Sequence, residues 1–587
     1  MDLVQRIARM TIPERLDAAP RESMREAIKR LAFIFLLALI PSGLFSIKGY
    51  SGDDFYFHVP SWMELRDSWL AGHLWPGWAS KANFTLGDPR YCFYPPFSFV
   101  LGGGLGLLLP LRFVPSVYIS LISLVSGISM YIAGKRFIPQ DDRLPAALLY
   151  MLSPYLVTCE LIHFTIAELL VQAWLPLILL WFFETTWGRN TRILLLGCLL
   201  GLTWLTDVPA SIVLLYGLFL VSLFSAWEHK RLEPVLRFMA AQSIAGMLAA
   251  FYLMPVWMEQ KWINTGGLLL RFLPRQFVIF LPGQWSTEGR VPSWVLEEWA
   301  DACISILVIA ICIIGRRRWR REDPHIRFWI YLALIALFFH LPLSLPFWDL
   351  LPEMHAVQFP FRFIPYVGVA LPMVLFARGT PVVLRKPIYV VMLLLTLIPI
   401  QRFLRGTPIT LLRKDSFAHL EAEWERKGYF SPPEYSPLAS KGFGLHPVDN
   451  RPGPPVGQLC SIAPVPVPTR NVEFTTDSSK PCTAVVDVYF YPYWRAVTES
   501  GTFLTTAGNE EGLLSVAVPA GKHTVQALFK PASRTRTLSS ALSLFALAFV
   551  ILGFIYNLGC RLRSIHSSGL DRSESLEAPL ESHTERA

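Results

Sequence analysis

Blocks of apolar residues about as long as a bilayer-crossing helix, roughly 20 residues, recur along this chain with short basic segments between them. That pattern leaves few folds open. A helix satisfies its own backbone hydrogen bonds, so a bundle of such helices is one of the few ways a chain can cross lipid. Hydrophobic residues make up 53% of the 587 and charged residues 17%, the balance of a polytopic membrane protein. The net charge of +9 sits on Arg and Lys in the short loops, where it sets topology, and implies no nucleic-acid partner.

Residues 1–30 carry Arg6, Arg9, Arg15, Arg21, Arg25, Lys29 and Arg30. This stretch is too long and too charged for the n-region of a cleaved signal. It reads as a cytoplasmic N-terminus followed by a retained signal-anchor from Leu31 to Ile47. The basic segments "GKRF" (134–137), "GRNTR" (188–192), "EHKRLEPVLR" (228–237), "RRRWRRE" (316–322) and "RGTPVVLRK" (378–386) are then all placed in the cytoplasm, and about twelve spans result. The apolar run "PFSFVLGGGLGLLLP" (96–110) is too short to cross and is expected to be juxtamembrane or re-entrant on the outer face.

The expected organisation is a transmembrane domain over 31–402 with a first outer loop at 50–111, and an extracytoplasmic linker at 403–470. An extracytoplasmic β-sandwich at 471–537, a last transmembrane helix at 538–560 and a disordered cytoplasmic tail at 561–587 follow. The sandwich is read from "TAVVDVYFYPYW" (483–494), which alternates, and "GLLSVAVPAGKHTVQALF" (512–529), two strands around a Pro-Ala-Gly turn. The eight cysteines have no metal-type spacing. Cys460 and Cys482 both fall in the outer segment, as a disulfide or as two free thiols.

Chemistry concentrates where the first span ends, in "YSGDDFYFHVP" (50–60). Asp53 and Asp54 are adjacent like charges, and a buried pair needs a partner or a proton. They are read as catalytic acids or as the cap of the helix that follows. His58 is a candidate site residue or an interfacial histidine. Phe55, Tyr56, Phe57, Trp62, Trp69, Trp75 and Trp78 read as an interface belt. Glu160, His163 and Glu168 mark another outer boundary, where ionisable residues are costly and often functional. Asp207, before Pro209, reads as a helix cap. Arg362 suits phosphate, which arginine matches geometrically, with Arg271 and Arg275 as rivals. His340 reads as a buried, paired histidine.

With "GDDFYFH", "YCFYPPFSFVLGG", "LSPY", "AELLVQAWLPLIL", "LTDVPASIVLLYG", "QFPFRF", "YFYPYWRA" and "VPAGKHTV" in this order, the chain resembles the C-type (GT-C) membrane glycosyltransferases. Within them it is most similar to bacterial membrane proteins carrying the domain named "6-pyruvoyl-tetrahydropterin synthase-related". That name is not an activity: such a synthase is a small zinc enzyme, and no His cluster here supplies its metal. The resemblance implies a GT-C-like fold in the bacterial cytoplasmic (inner) membrane. It implies an active site on the extracytoplasmic face, a polyprenyl-phosphate sugar donor, and a glycan, lipid or protein acceptor. An acid of the first outer loop, Asp53 or Asp54, would be the base or would hold a divalent cation, and Glu168 would be a second acid. Glu160, His163, His58 and Arg362 would bind substrate. A divalent cation is the one cofactor the resemblance leaves open. A lipid-linked glycan transporter should show paired broken helices and an internal repeat, and neither is visible. An accessory subunit with a degenerate site is the remaining alternative.

Overall fold

A computed structural model describes residues 23–186, 192–265, 273–279, 293–315, 324–377, 380–411, 414–440, 460–465 and 471–574. Arg271, "RRRWRRE", most of "GRNTR", the N-terminus to 22, the segment 441–459 and the tail from 575 lie outside the described residues. Among the described residues six helices are long and apolar enough to cross a membrane, or nine if each of three helix pairs bent by 41°, 76° and 88° is one span, so broken helices, which the sequence did not show, are present. The remaining predicted spans fall on the shorter apolar helices Ile193–Trp204, Cys303–Ile314 and Pro360–Leu375, so length and composition support six to nine crossings of the expected twelve.

The site is framed by helices α1 (Phe55–Leu70), α2 (Pro96–Leu108), α3 (Val114–Phe137), α4 (Ile166–Thr186), α5 (Val208–His229), α6 (Ile364–Leu375), α7 (Arg385–Arg405) and α8 (Lys414–Lys427). α9 (Arg534–Glu574) is the last element among the described residues. The Tyr50 hydroxyl donates to the Arg112 carbonyl beside the start of α3, whereas Lys135 lies in its last turn. At about 1.5 Å per residue, the Asp53 loop and Lys135 stand at opposite ends of a 24-residue helix.

α2 explains the glycine run. With 13 residues it is too short to cross, and it lies against α1. A Cβ at Gly102 would stand 2.4 Å from the Trp62 ring, and one at Gly103 would meet Leu65 and Trp69 at 3.2 Å. Two of the glycines therefore let the two helices approach closely. The belt reading of the aromatics fails here: Phe55, Phe57, Trp62 and Trp78 are buried in cores, and only Tyr56 of the GDDFYFH stretch is an exposed aromatic.

The C-terminal region holds strands β1 (Ile462–Val465), β2 (Val472–Ser478), β3 (Cys482–Tyr489), β4 (Trp494–Thr498), β5 (Phe503–Leu504), β6 (Thr506–Gly508), β7 (Leu513–Val518) and β8 (Gly521–Phe529). They form a five-stranded sheet β1-β2-β8-β4-β5 and a three-stranded sheet β3-β7-β6, antiparallel at every pairing. The two strands around Pro-Ala-Gly are present but do not pair as a hairpin. β7 joins β3 and β6, while β8 crosses to the other sheet between β2 and β4. The turn carries the chain from sheet to sheet because both strands bury one face in the shared core, at Leu514, Val516 and Val518 on one side and Val525, Ala527 and Phe529 on the other.

The boundary at 470 also needs correcting, because β1 begins at Ile462, disulfide-linked Cys460 precedes it, and Cys482 is its partner. Nor is 403–470 only a linker, since it contains α8, whose Phe417 and Trp424 are buried. The first long loop inserts Trp78 into the sandwich core, 5.3 Å from the Trp494 ring and 5.0 Å from that of Phe529.

Candidate functional site

The acid loop owes its shape to two backbone positions. Gly52 has φ +126°, and a Cβ there would lie 2.4 Å from the Phe164 Cβ. Phe164, at φ +57°, ends the π-helical turn Cys159–His163. Gly52 thus brings the Asp53–Asp54 loop against that turn, where the Asp54 amide donates to the His163 carbonyl at 3.1 Å. On the other flank Tyr50 exchanges backbone hydrogen bonds with Ile409 (2.6 Å) and Thr410 (2.8 Å).

The two acids turn to different sides. Asp53 is exposed and pairs through Oδ2 with His163 Nδ1 at 2.9 Å; that hydrogen bond holds its carboxyl below the usual range. It lines a cavity of about 460 Å³ with Ser51, Tyr56, Ile162 and Arg402. Asp54 is half-buried. Burial and the Asp53 charge push its carboxyl up to about 7, against the pull of His163 and Arg362. The cap reading fails for its side chain: Asp54 is the N-cap of α1, yet its carboxylate makes no capping hydrogen bond.

The charge of Arg362 reaches Asp54, and Arg362 belongs to a cluster to which several separate motifs each contribute one residue. Glu168, in the first turn of α4, accepts hydrogen bonds from the Tyr155 hydroxyl and from Gln172 Nε2 (3.3 Å). Its Oε2 is 3.5 Å from Arg362 Nε. Arg362 also donates to the Val357 carbonyl at 2.7 Å, and its charged neighbours include Glu168, Asp207 and Asp54. Asp207 caps α5, accepting from the Ala210 amide at 2.7 Å, as its place before Pro209 predicts. Burial pushes it up to about 6, with Arg362 opposing. The starts of α4, α5 and α6 therefore converge on one arginine, which helix N-terminal dipoles make a natural place for carboxylates.

Three predicted site residues stand elsewhere. His58 is 1% exposed and sits among the rings of Phe57, Trp62, Tyr94 and Phe99. Its Nδ1 is unpartnered and burial drives the imidazole down to about 3, so it is a neutral core residue, closed to a ligand. Glu160 is buried and accepts from the Ser123 hydroxyl of α3, so it belongs to the helix packing. Arg275 is exposed, while His340 is buried as expected, with Nδ1 2.7 Å from the Ala336 carbonyl. The cavity at Asp53 is lined by neither Glu168 nor Arg362. Sequence reasoning missed Arg402, although a cation at the end of α7 was a readable signal, and it missed Tyr155.

The first long loop carries a second buried group absent from the sequence reading. Arg90 meets Asp88 through two hydrogen bonds (2.9 and 2.8 Å) and also donates to Ser61 (3.1 Å) and Ser431 (2.6 Å). Glu64 accepts from the Ser80 and Lys81 amides and the Tyr429 hydroxyl. These bonds tie the first long loop, α1 and the segment after α8 into one frame. No set of three or more His, Cys, Asp or Glu among the described residues is arranged to hold a metal ion. The Asp53–His163 pair alone does not make such a site.

No family model matches the chain, and no curated protein matches it. Among solved structures it is similar to the arabinofuranosyltransferase AftD from mycobacteria, at 17% identity over 67% of this chain and 28% of that one, with a TM-score of 0.38. A mutant of AftD aligns at 18% identity over 69% and 30%, TM-score 0.42. The oligosaccharyltransferase of Archaeoglobus fulgidus, in complex with Zn and sulfate, aligns at 14% identity over 73% and 59%, TM-score 0.39. The chain spans less than a third of the AftD chains and about three fifths of the oligosaccharyltransferase chain. At these scores neither fold nor activity is carried over from them.

Proposed function

We propose that this chain is an integral-membrane glycosyltransferase of the GT-C type, moving a sugar from a polyprenyl-phosphate donor to an envelope glycan, lipid or protein acceptor on the extracytoplasmic face. The observation that carries this reading is the pair of neighbouring acids placed between an open cavity and a buried arginine. Asp54, poised near neutrality, has the property wanted in a general base. It would take the acceptor hydroxyl proton as that oxygen bonds to the anomeric carbon and the bond from carbon to the phosphate oxygen breaks. Asp53, held ionised by His163, would orient the acceptor.

The leaving polyprenyl phosphate needs a cation. Arg362 is already opposed by Glu168 and Asp207, which suits it to fixing the acid cluster. Arg402 lines the Asp53 cavity and is better placed to meet an incoming phosphate, whose charge stays at headgroup depth because burying it in acyl chains is costly. Transfer from polyprenyl-phosphate sugars by the purified protein in nanodiscs tests the reading. Asp54→Asn should remain folded and lose about 10²–10⁴ in rate. Full transfer by both Asp53→Asn and Asp54→Asn would refute it.

A further inference from the structure

A second cavity, of about 650 Å³, opens beside the first and shares Tyr56 and Ile409 with it. One wall is the strand-like segment pinned to Tyr50 through Ile409 and Thr410. The other is α8, which presents Asp415, Ser416, His419 and Glu423. Its volume falls within the roughly 300–1,000 Å³ of small-molecule sites. The lining has a definite chemistry. Two carboxylates, a hydroxyl and an imidazole accept or exchange hydrogen bonds, Tyr56 is 41% exposed, and apolar atoms of Ile409 back the groove. Of these groups Glu423 makes a salt bridge to Lys427, one turn further along α8, at 3.4 Å. Two carboxylates in the wall repel a phosphate or another anion. They suit a ligand that is neutral and rich in donors, and an aromatic ring with an apolar body and a polar tip suits one with alternating C–H and O–H faces.

We propose that this groove binds the acceptor as a neutral, hydroxyl-rich saccharide chain, with Tyr56 against a sugar ring and Glu423 and Asp415 accepting its hydroxyls, and that the shared edge at Tyr56 leads the chain end to Asp53. The assignment of the ligand as acceptor rests on the transferase reading; the binding of saccharide does not. α8 is then a specificity element, and the segment after α7 selects the acceptor.

The test measures binding without donor. The full chain in nanodiscs is titrated with neutral hexasaccharides of glucose, mannose, galactose and arabinose, and with a Ser/Thr-rich hexapeptide, by saturation-transfer NMR. At least one saccharide should bind. Glu423→Gln and Tyr56→Ala should each weaken it about tenfold or more, the scale of a lost hydrogen bond to a charged group. No saccharide binding, binding of the peptide alone, or saccharide binding unchanged in both groove variants overturns the proposal. Saccharide binding in a protein that transfers nothing leaves the groove standing and removes the transferase reading. Transfer by the wild type with groove variants unaffected does the reverse. Unfolding temperatures matching the wild type show that the variants are folded.

Discussion

Arg362 Nε stands 3.5 Å from Glu168 Oε2, with 14% and 6% of the two side chains exposed. Removing one member of a buried ion pair strands the other, at a cost of about 3–5 kcal/mol, whereas replacing both with apolar groups costs far less. Arg362→Ala should therefore lower the unfolding temperature sharply, and Arg362→Met combined with Glu168→Leu should recover much of it. Thermal unfolding in detergent checks this; an Arg362→Ala protein as stable as the wild type would show that the pair is not formed.

Transfer should depend on pH through Asp54. Its carboxyl, ordinarily at 3.8, is raised to about 7, so the base is lost to protonation below that value. The rate should rise from about pH 6 to pH 8, and the residual rate of Asp54→Asn should be flat. The stability sign runs the other way. The folded state holds this proton more tightly than the unfolded one, so the group's contribution is present below 3.8 and disappears as pH rises through about 7. At pH 8 Asp54→Asn should be at least as stable as the wild type. A strongly destabilised Asp54→Asn would mean that the carboxylate serves the fold.

Arg90 and Asp88 are fully buried. Arg90→Ala should cost about 3–5 kcal/mol, and Arg90→Lys should rescue little, because an ammonium does not reproduce the two-pronged contact. Limited proteolysis of the first long loop reads this out; rescue by lysine would reduce the cluster to a simple charge contact.

The Cys460–Cys482 bond spans 22 residues and ties the start of β1 to β3. Its loss in Cys460→Ser should destabilise the sandwich by about 3 kcal/mol, with the transmembrane helices unaffected. Peptide masses before and after reduction establish the link. Free thiols at both positions in protein from an oxidising compartment would contradict it.

The position of the acids was legible because a polar loop after a long apolar run has few places to go. Glu168, Asp207 and Arg362 were legible as charged residues at the starts of apolar helices. Their convergence was not, since it depends on which helices pack side by side. His58 and Glu160 misled for one reason: a lone polar residue in an aromatic or apolar stretch looks the same whether it faces a cavity or another helix. α8 was overlooked because its 14 residues are mostly polar, although Phe417 and Trp424, seven apart, mark its buried stripe. The crossing of β7 to β8 between sheets was hidden by a turn that reads as a hairpin.

Asp53 and Asp54 occupy consecutive positions, yet one opens to a cavity and the other to a buried arginine. Their mutual repulsion is part of what keeps a proton on Asp54. A donor phosphate entering the Asp53 cavity adds a further negative charge to that repulsion, so occupancy of the cavity becomes a proton-uptake event on the far side of one peptide bond. Calorimetric heats of ligand binding near pH 7 should then depend on the ionisation enthalpy of the buffer, a dependence that Asp54→Asn abolishes.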